Sequence, residues 1–249
     1  MKRIGFLLKV KDDPKLQTEY KKHHREVWPE MLDALRRHGW RNYSLFMRRD
    51  GLMFGYVEVP ASLEKCLQGM AGEEVNMRWQ RSMQPYFEIP PGARPDQTMV
   101  ELGEVFYMQG AGYHRPSAKR MCFQPKVKSD PKSIAEYKRS HASVWPEMLA
   151  ALTRHGWSNY SIWMRRPDVV LSPSKQRSAR RRPEALEGRP GGTIYLYSEM
   201  WQDPAKAQAA MASEDVGRRW SEYMRPLFEA GPDGSTGNRV DMEEVFHTD

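Results

Sequence analysis

Tyr20-Lys21-Lys22-His23-His24-Arg25-Glu26-Val27-Trp28-Pro29-Glu30-Met31-Leu32, continued by His38-Gly39-Trp40-Arg41-Asn42-Tyr43-Ser44, occurs again later in the chain. The second occurrence is Tyr137-Lys138-Arg139-Ser140-His141-Ala142-Ser143-Val144-Trp145-Pro146-Glu147-Met148-Leu149, continued by His155-Gly156-Trp157-Ser158-Asn159-Tyr160-Ser161. Every matched pair is 117 positions apart, so nothing was gained or lost between the two tyrosines in either copy. The chain is a tandem duplication. Its 249 residues then divide into two domains, expected at residues 1–108 and 119–249, each large enough to bury its own core.

Composition narrows the class. A hydrophobic fraction of 39%, with 8 Trp and 16 Met, supports packed interiors. No apolar run approaches the roughly 18 to 20 residues of a membrane span. The basic start Met1-Lys2-Arg3 leads into an apolar run cut by Lys9 and Lys11, which reads as a strand rather than a signal-peptide core. Cys66 and Cys122 fall in different copies without metal-type spacing, so a reducing cytoplasm is expected. Much of the net charge of +7 sits in one insertion holding Lys175, Arg177, Arg180, Arg181, Arg182 and Arg189, and says little about the cores.

Read in order, Arg3 to Val10 is a strand, and Asp12-Asp13-Pro14 caps a helix that runs toward Trp28. Pro29 must break it, and a second helix ends at Gly39. Asn42 to Arg48 and Met53 to Val59 form a hairpin around Asp50-Gly51. Ser62 to Met70 and Glu73 to Met83 read as helical, and Val100 to Tyr107 as the last strand, giving the order βαββαβ. A linker follows from Gln109 to Ser117. The second copy departs twice: Pro125 falls inside its first strand, and a Pro-, Ser-, Arg- and Gly-rich insertion at about 167–192 is expected to be flexible. Beyond it Trp79 recurs as Trp220, 141 positions on.

Tyr20 and His24 lie one helical turn apart on one face, as do Tyr137 and His141, so that phenol and imidazole can share a pocket. Imidazole moves protons readily near neutral pH. A tyrosine and histidine packed under a sheet would look the same in one copy. Here the neighbours Lys22, His23 and Arg25 became Arg139, Ser140 and Ala142 while Tyr and His stayed, which favours a shared function. Tyr43 and Tyr160 start a strand after a helix-ending Gly-Trp and reach either pocket or core. Trp79 and Trp220 read as packing, or as an indole face for the C–H face of a sugar. Trp28 and Trp145 are assigned to the core and His23 to solvent. No metal cluster, cysteine nucleophile or phosphate loop appears in the sequence, leaving acid/base chemistry or plain ligand binding.

Tyr-x-x-x-His, Val-Trp-Pro-Glu-Met, Asn-Tyr-Ser, Arg-Trp and the closing Glu-Val-Phe, all present twice, together resemble the L-rhamnose mutarotase family. The resemblance implies α+β structure: two ferredoxin-like βαββαβ domains packed as an intramolecular pseudo-dimer of the dimeric α+β barrel type. It implies interconversion of the α and β anomers of L-rhamnose or a related aldose, without a cofactor. It makes His24 and His141 the proton donors, and Tyr20, Tyr43, Trp79, Tyr137, Tyr160 and Trp220 the sugar contacts. The base is left open between a carboxylate such as Glu104 or Glu244 and a water. Two departures are visible: Gln80 and Ser221 stand where the family can carry a second aromatic after Arg-Trp, and His247 stands where the first copy has Tyr107. Two other classes are weighed. One is a noncatalytic sugar binder. The other is an RNA-binding tandem, since βαββαβ is also an RNA-recognition order and Leu52-Met53-Phe54-Gly55-Tyr56-Val57 vaguely matches its aromatic strand; Thr193-Ile194-Tyr195-Leu196-Tyr197-Ser198, lacking the glycine, disfavours it.

Overall fold

The computed structural model of the chain describes residues 1–113, 118–165, 192–232, 234 and 236–249. The basic insertion expected to be flexible lies outside these residues except at Gly192. The first copy runs β1 (Lys2–Lys9), α1 (Pro14–Arg25), α2 (Pro29–Arg37), β2 (Arg41–Met47), β3 (Leu52–Val59), α3 (Leu63–Ala71), α4 (Glu74–Met83) and β4 (Val100–Met108). The second runs β5 (Lys119–Gln124), α5 (Pro131–Ala142), α6 (Pro146–Arg154), β6 (Trp157–Arg165), β7 (Ile194–Met200), α7 (Pro204–Ser213), α8 (Asp215–Met224) and β8 (Val240–Thr248).

The helix boundaries follow from local chemistry. Asp13 caps α1, its carboxylate accepting from the amides of Lys15 and Leu16 at 2.8 and 3.2 Å, and Pro14 occupies the first turn where a missing N–H costs nothing. The helix stops at Arg25, short of the expected Trp28. Trp28 precedes a proline and is held extended at φ −57°, ψ 134°, so the chain leaves the helix before reaching it. After α2, Gly39 takes φ 81°, a conformation that an L side chain resists. The second copy repeats the cap with Asp130, which accepts from the Ser133 amide at 2.9 Å.

Contacts gather the described residues into two compact units, one from Met1–Leu102 with Glu243–Asp249, the other from residues 103–165 with 192–242. In the first, β3 lies between β1, paired from Lys2↔Val59 to Lys9↔Leu52, and β2, paired from Ser44↔Tyr56 to Met47↔Met53. β1 also meets the start of β4 at Phe6↔Glu101, and β2 meets the end of β8 at Leu45↔Phe246. Phe6, Leu8, Met53 and Val57 form the core with Leu35, Leu63, Val75 and Met83 from the helices. All of β3 is buried, so its sequence reads as a continuous run and not as an alternation. Phe54 and Tyr56 are 0% exposed and offer no surface on which RNA bases could stack. Gly55 is required by close approach: a Cβ there would lie 2.2 Å from the Phe6 ring.

In the second unit β7 lies between β5, paired from Lys119↔Met200 to Phe123↔Leu196, and β6, paired from Ser161↔Tyr197 to Met164↔Ile194. β5 also pairs with the start of β8 at Cys122↔Met242. Pro125 does not fall inside the strand as expected. β5 ends at Gln124, where the next residue has no N–H to donate, and only the Pro125 carbonyl takes part, accepting from Ile194 at 3.2 Å. The core gathers Tyr137, Ile162, Ile194 and Met224, with Trp157, Met200 and Met211 in a second cluster. β4 and β8 each contribute residues to both units. No helix among the described residues is long and apolar enough to cross a membrane.

Candidate active site

In the first unit the last turn of α1 presents His24. Its Nδ1 lies 3.0 Å from the Tyr20 carbonyl, which can only accept, so Nδ1 carries the proton and Nε2 is the ring's acceptor. The Tyr20 ring stacks on the imidazole at 4.1 Å, while Trp79 at 5.4 Å and Phe246 at 5.8 Å meet it edge-on. His24, Tyr43, Trp79 and Phe246 border one cavity of about 60 Å³, together with Trp40, Asn76, Gln80 and Asp96. Tyr20 is 1% exposed and is not on the cavity wall, so it orients the histidine from behind. Trp28 is half-buried and braces Trp79 edge-on at 5.3 Å, with Arg78 over its other side. His23 is exposed but bonds the Tyr86 hydroxyl at 3.0 Å.

Tyr43 reaches this cavity because of a bulge. The β2–β3 register shifts between Arg41 and Ser44, and Asn42 sits at φ 45°, a region that asparagine tolerates better than most residues. Asn42 Nδ2 donates to Glu58 at 3.0 Å and the Tyr56 hydroxyl donates to the same oxygen at 3.0 Å, which fixes the kink from within. The second copy has the same device, with Asn159 at φ 41° bonded to Glu199 at 2.7 Å and the Tyr197 hydroxyl at 3.1 Å.

The second unit repeats the cage. His141 Nδ1 lies 2.9 Å from the Tyr137 carbonyl, the Tyr137 ring is 4.2 Å away, and Trp220 at 5.6 Å and Phe106 at 5.9 Å meet the imidazole edge-on. Tyr160 packs on Phe106 at 5.5 Å, and Trp145 on Trp220 at 5.2 Å. A more open pocket of about 380 Å³ adjoins His141, bordered by Glu104, Phe106, Tyr107 and Ser143. Of the two carboxylates considered as bases, Glu104 thus borders a pocket beside a histidine, while Glu244 pairs with Phe46 in the β2–β8 ladder. His247 turns to Ser44 Oγ at 2.9 Å and Asp249 at 3.1 Å.

Burial lowers both His24 and His141 to about 4, against the smaller opposing effect of the carbonyl bond. At neutral pH each ring is uncharged with one nitrogen able to take a proton. Burial pushes Tyr43 and Tyr160 up, so both hydroxyls stay protonated and able to donate. Among the described residues no three His, Cys, Asp or Glu side chains gather as metal ligands.

Sequence reasoning missed Phe246 and Phe106 as cage members, the Asn–Glu struts, and the polar residues Asn76 and Asp96, and noted Gln80 only as a departure from the family's second aromatic. The phenylalanines were legible only as the closing Glu-Val-Phe of each copy, because strand order decides which cage each one enters. The struts had a signal in the repeated Asn-Tyr-Ser.

Fold and side-chain geometry define an α+β protein that twice places a half-buried histidine in an aromatic cage, an arrangement that suits proton transfer on a small ligand. A family profile described as L-rhamnose mutarotase matches residues 3–108 and again 120–248. The chain belongs to the L-rhamnose mutarotase family. It is 38% identical to the L-rhamnose mutarotase of Oceanobacillus iheyensis over 43% of this chain and 99% of that one. It is 37% identical to that of Bacillus subtilis, again over 43% of this chain and 99% of the relative. In fold it is similar to the crystal structure of a candidate monooxygenase from Lactobacillus acidophilus NCFM, with TM-score 0.56 and 7% identity over 100% of this chain and 96% of that one.

Proposed function

We propose that the chain is an isomerase that interconverts the α and β anomers of L-rhamnose, with one site in each copy centred on His24 and His141. The observation that carries this reading is the repeated imidazole whose Nδ1 is fixed by a carbonyl beside an aromatic cage, in a chain that matches the family twice. The resemblance implied a donor role for these histidines; their neutral state supports acceptance first. Nε2 of His24 takes the proton of the anomeric hydroxyl. The electron pair left on that oxygen forms the aldehyde C=O, the bond from C1 to the ring oxygen breaks, and the ring oxygen takes a proton from the Tyr43 hydroxyl. Rotation about C1–C2 presents the other carbonyl face. Closure then returns one proton to Tyr43 and the other from His24 to the new anomeric oxygen, so the protein ends as it began. Acid/base assistance of this kind is worth about 10² to 10⁴ in rate.

Trp79 and Trp220 would offer indole faces to the sugar's C–H face, with Tyr43 and Tyr160 beside them and Tyr20 and Tyr137 supporting the histidines. We further read the two copies, residues 1–108 and 119–249, as ferredoxin-like domains paired as an intramolecular pseudo-dimer working in the cytoplasm. The test is magnetisation transfer between the two anomeric protons of L-rhamnose. Catalytic amounts of protein are expected to speed exchange above the spontaneous rate, whereas binding without faster exchange would make the chain a sugar binder.

A further inference from the structure

We infer that the first cavity carries a hydroxyl-reading wall, formed by Asp96, Asn76, Gln80 and the indole N–H of Trp40, which makes this site selective for aldopyranoses bearing a vicinal hydroxyl pair; the second site lacks it. The inference rests on the sugar reading above and deepens it.

All four residues border the cavity that holds His24, Tyr43 and Trp79, yet their exposures are only 6% for Asp96, 1% for Asn76, 9% for Gln80 and 2% for Trp40. Burying this much polarity beside an apolar cage is unfavourable unless the groups are paired, with each other or with a ligand. They are partly paired. Gln80 Nε2 donates to Asn76 Oδ1 at 3.1 Å, Gln80 Oε1 accepts from the Asp96 amide at 3.2 Å, and Asn76 Nδ2 reaches Asp96 only at 3.5 Å. Arg94 holds the carboxylate through Nε at 3.0 Å and Nη2 at 3.4 Å. A carboxylate has about four lone-pair positions and each amide nitrogen two N–H groups, so accepting and donating capacity remains on residues that border the cavity. The Trp40 indole N–H is buried with no partner at all. An acceptor flanked by donors across one wall matches neighbouring sugar hydroxyls, each of which both donates and accepts.

The second copy keeps the indole as Trp157, whose N–H is likewise buried without a partner, but Gly217 and Ser221 stand in place of Asn76 and Gln80, and counting back from the shared Glu-Val-Phe puts Thr236 in place of Asp96. Gly217 is fixed by its backbone, since a Cβ would lie 2.1 Å from the Met211 carbonyl oxygen. The wall belongs to one copy.

The test uses the full chain with His141→Ala, so that exchange reports the first site, and adds either Asp96→Asn or the pair Asn76→Gly and Gln80→Ser, which installs the residues of the second copy. KM for L-rhamnose is expected to rise about tenfold with kcat within about twofold, the size of one lost ligand hydrogen bond. The parent is expected to discriminate against the 2-, 3- or 4-deoxy analogue that breaks the recognised pair, and the variants are expected to lose that discrimination. Tryptophan-fluorescence titration with the same sugars reads binding without turnover. A lower melting temperature with unchanged KM and unchanged discrimination would reduce the network to a brace and overturn the inference, as would a loss confined to kcat. Should Asp96→Asn not fold, the Gly/Ser pair decides. If the parent binds with deoxy discrimination but does not accelerate exchange, the activity reading falls and the wall stands.

Discussion

His24 and His141 are held alike: one nitrogen on the carbonyl a turn earlier, one ring face against a tyrosine, an edge-on tryptophan and phenylalanine in front. Because each copy carries its own histidine in its own cage, each single change to alanine is expected to leave a substantial share of anomer exchange, and the double change to lower it by about 10² or more. Loss of all activity with His24→Ala and none with His141→Ala would mean that only the first copy works. The pH profile follows from burial. The working ring is neutral, so catalysis is expected to be level near neutrality and to fall as pH drops through the lowered value of about 4, not through the ordinary histidine value. An inflection of the exchange rate at or above the ordinary value would contradict a neutral acceptor. Stability has the same sign: with the folded value depressed, the unfolded chain binds more protons between the ordinary value and about 4. Folding therefore weakens as pH falls across that window and levels off below it, which chemical denaturation at several pH values would show.

At the scale of elements, the β1–β3 pair depends on one missing side chain. A Cβ at Gly55 would enter the Phe6 ring, so Gly55→Ala is expected to destabilise by about 1 to 3 kcal/mol, the usual cost of overpacking. Phe6→Leu in the same protein should recover part of it, and a double-mutant cycle from denaturant melts would show the coupling; additive losses would place the strain elsewhere. The α1 cap gives a second check. Asp13→Ala removes the acceptor for two amides and is expected to cost about 1 kcal/mol without changing the exchange rate per folded molecule. The fraying would begin more than two turns from His24.

For the whole molecule, the proposal that the two copies pair within one chain predicts a mass near 29.1 kDa by light scattering. A stable mass of twice that would show pairing between chains. Replacing residues 167–192 by a short Asp-Gly turn, the connection the first copy uses at Asp50-Gly51, is expected to leave folding and exchange intact. Loss of soluble protein would make that segment a working part.

The sequence by itself determined the duplication, the break before Pro29, the cap within Asp12-Asp13-Pro14, and the placing of tyrosine and histidine on one helical face. The duplication is legible from the repeat alone, and the others are decided within a few residues, by missing donors, φ restrictions and the 3.6-residue period. It also carried the family, through motifs repeated in register. It did not reveal that α1 ends at Arg25, that Pro125 lies just beyond its strand, or that Phe246 and Phe106 complete the cages, since strand pairing is a long-range choice with no local signature. Nor did it give the charge state of the histidines. A residue name fixes an ordinary proton affinity, but burial sets the real one, and only the packed structure decides which groups are buried together.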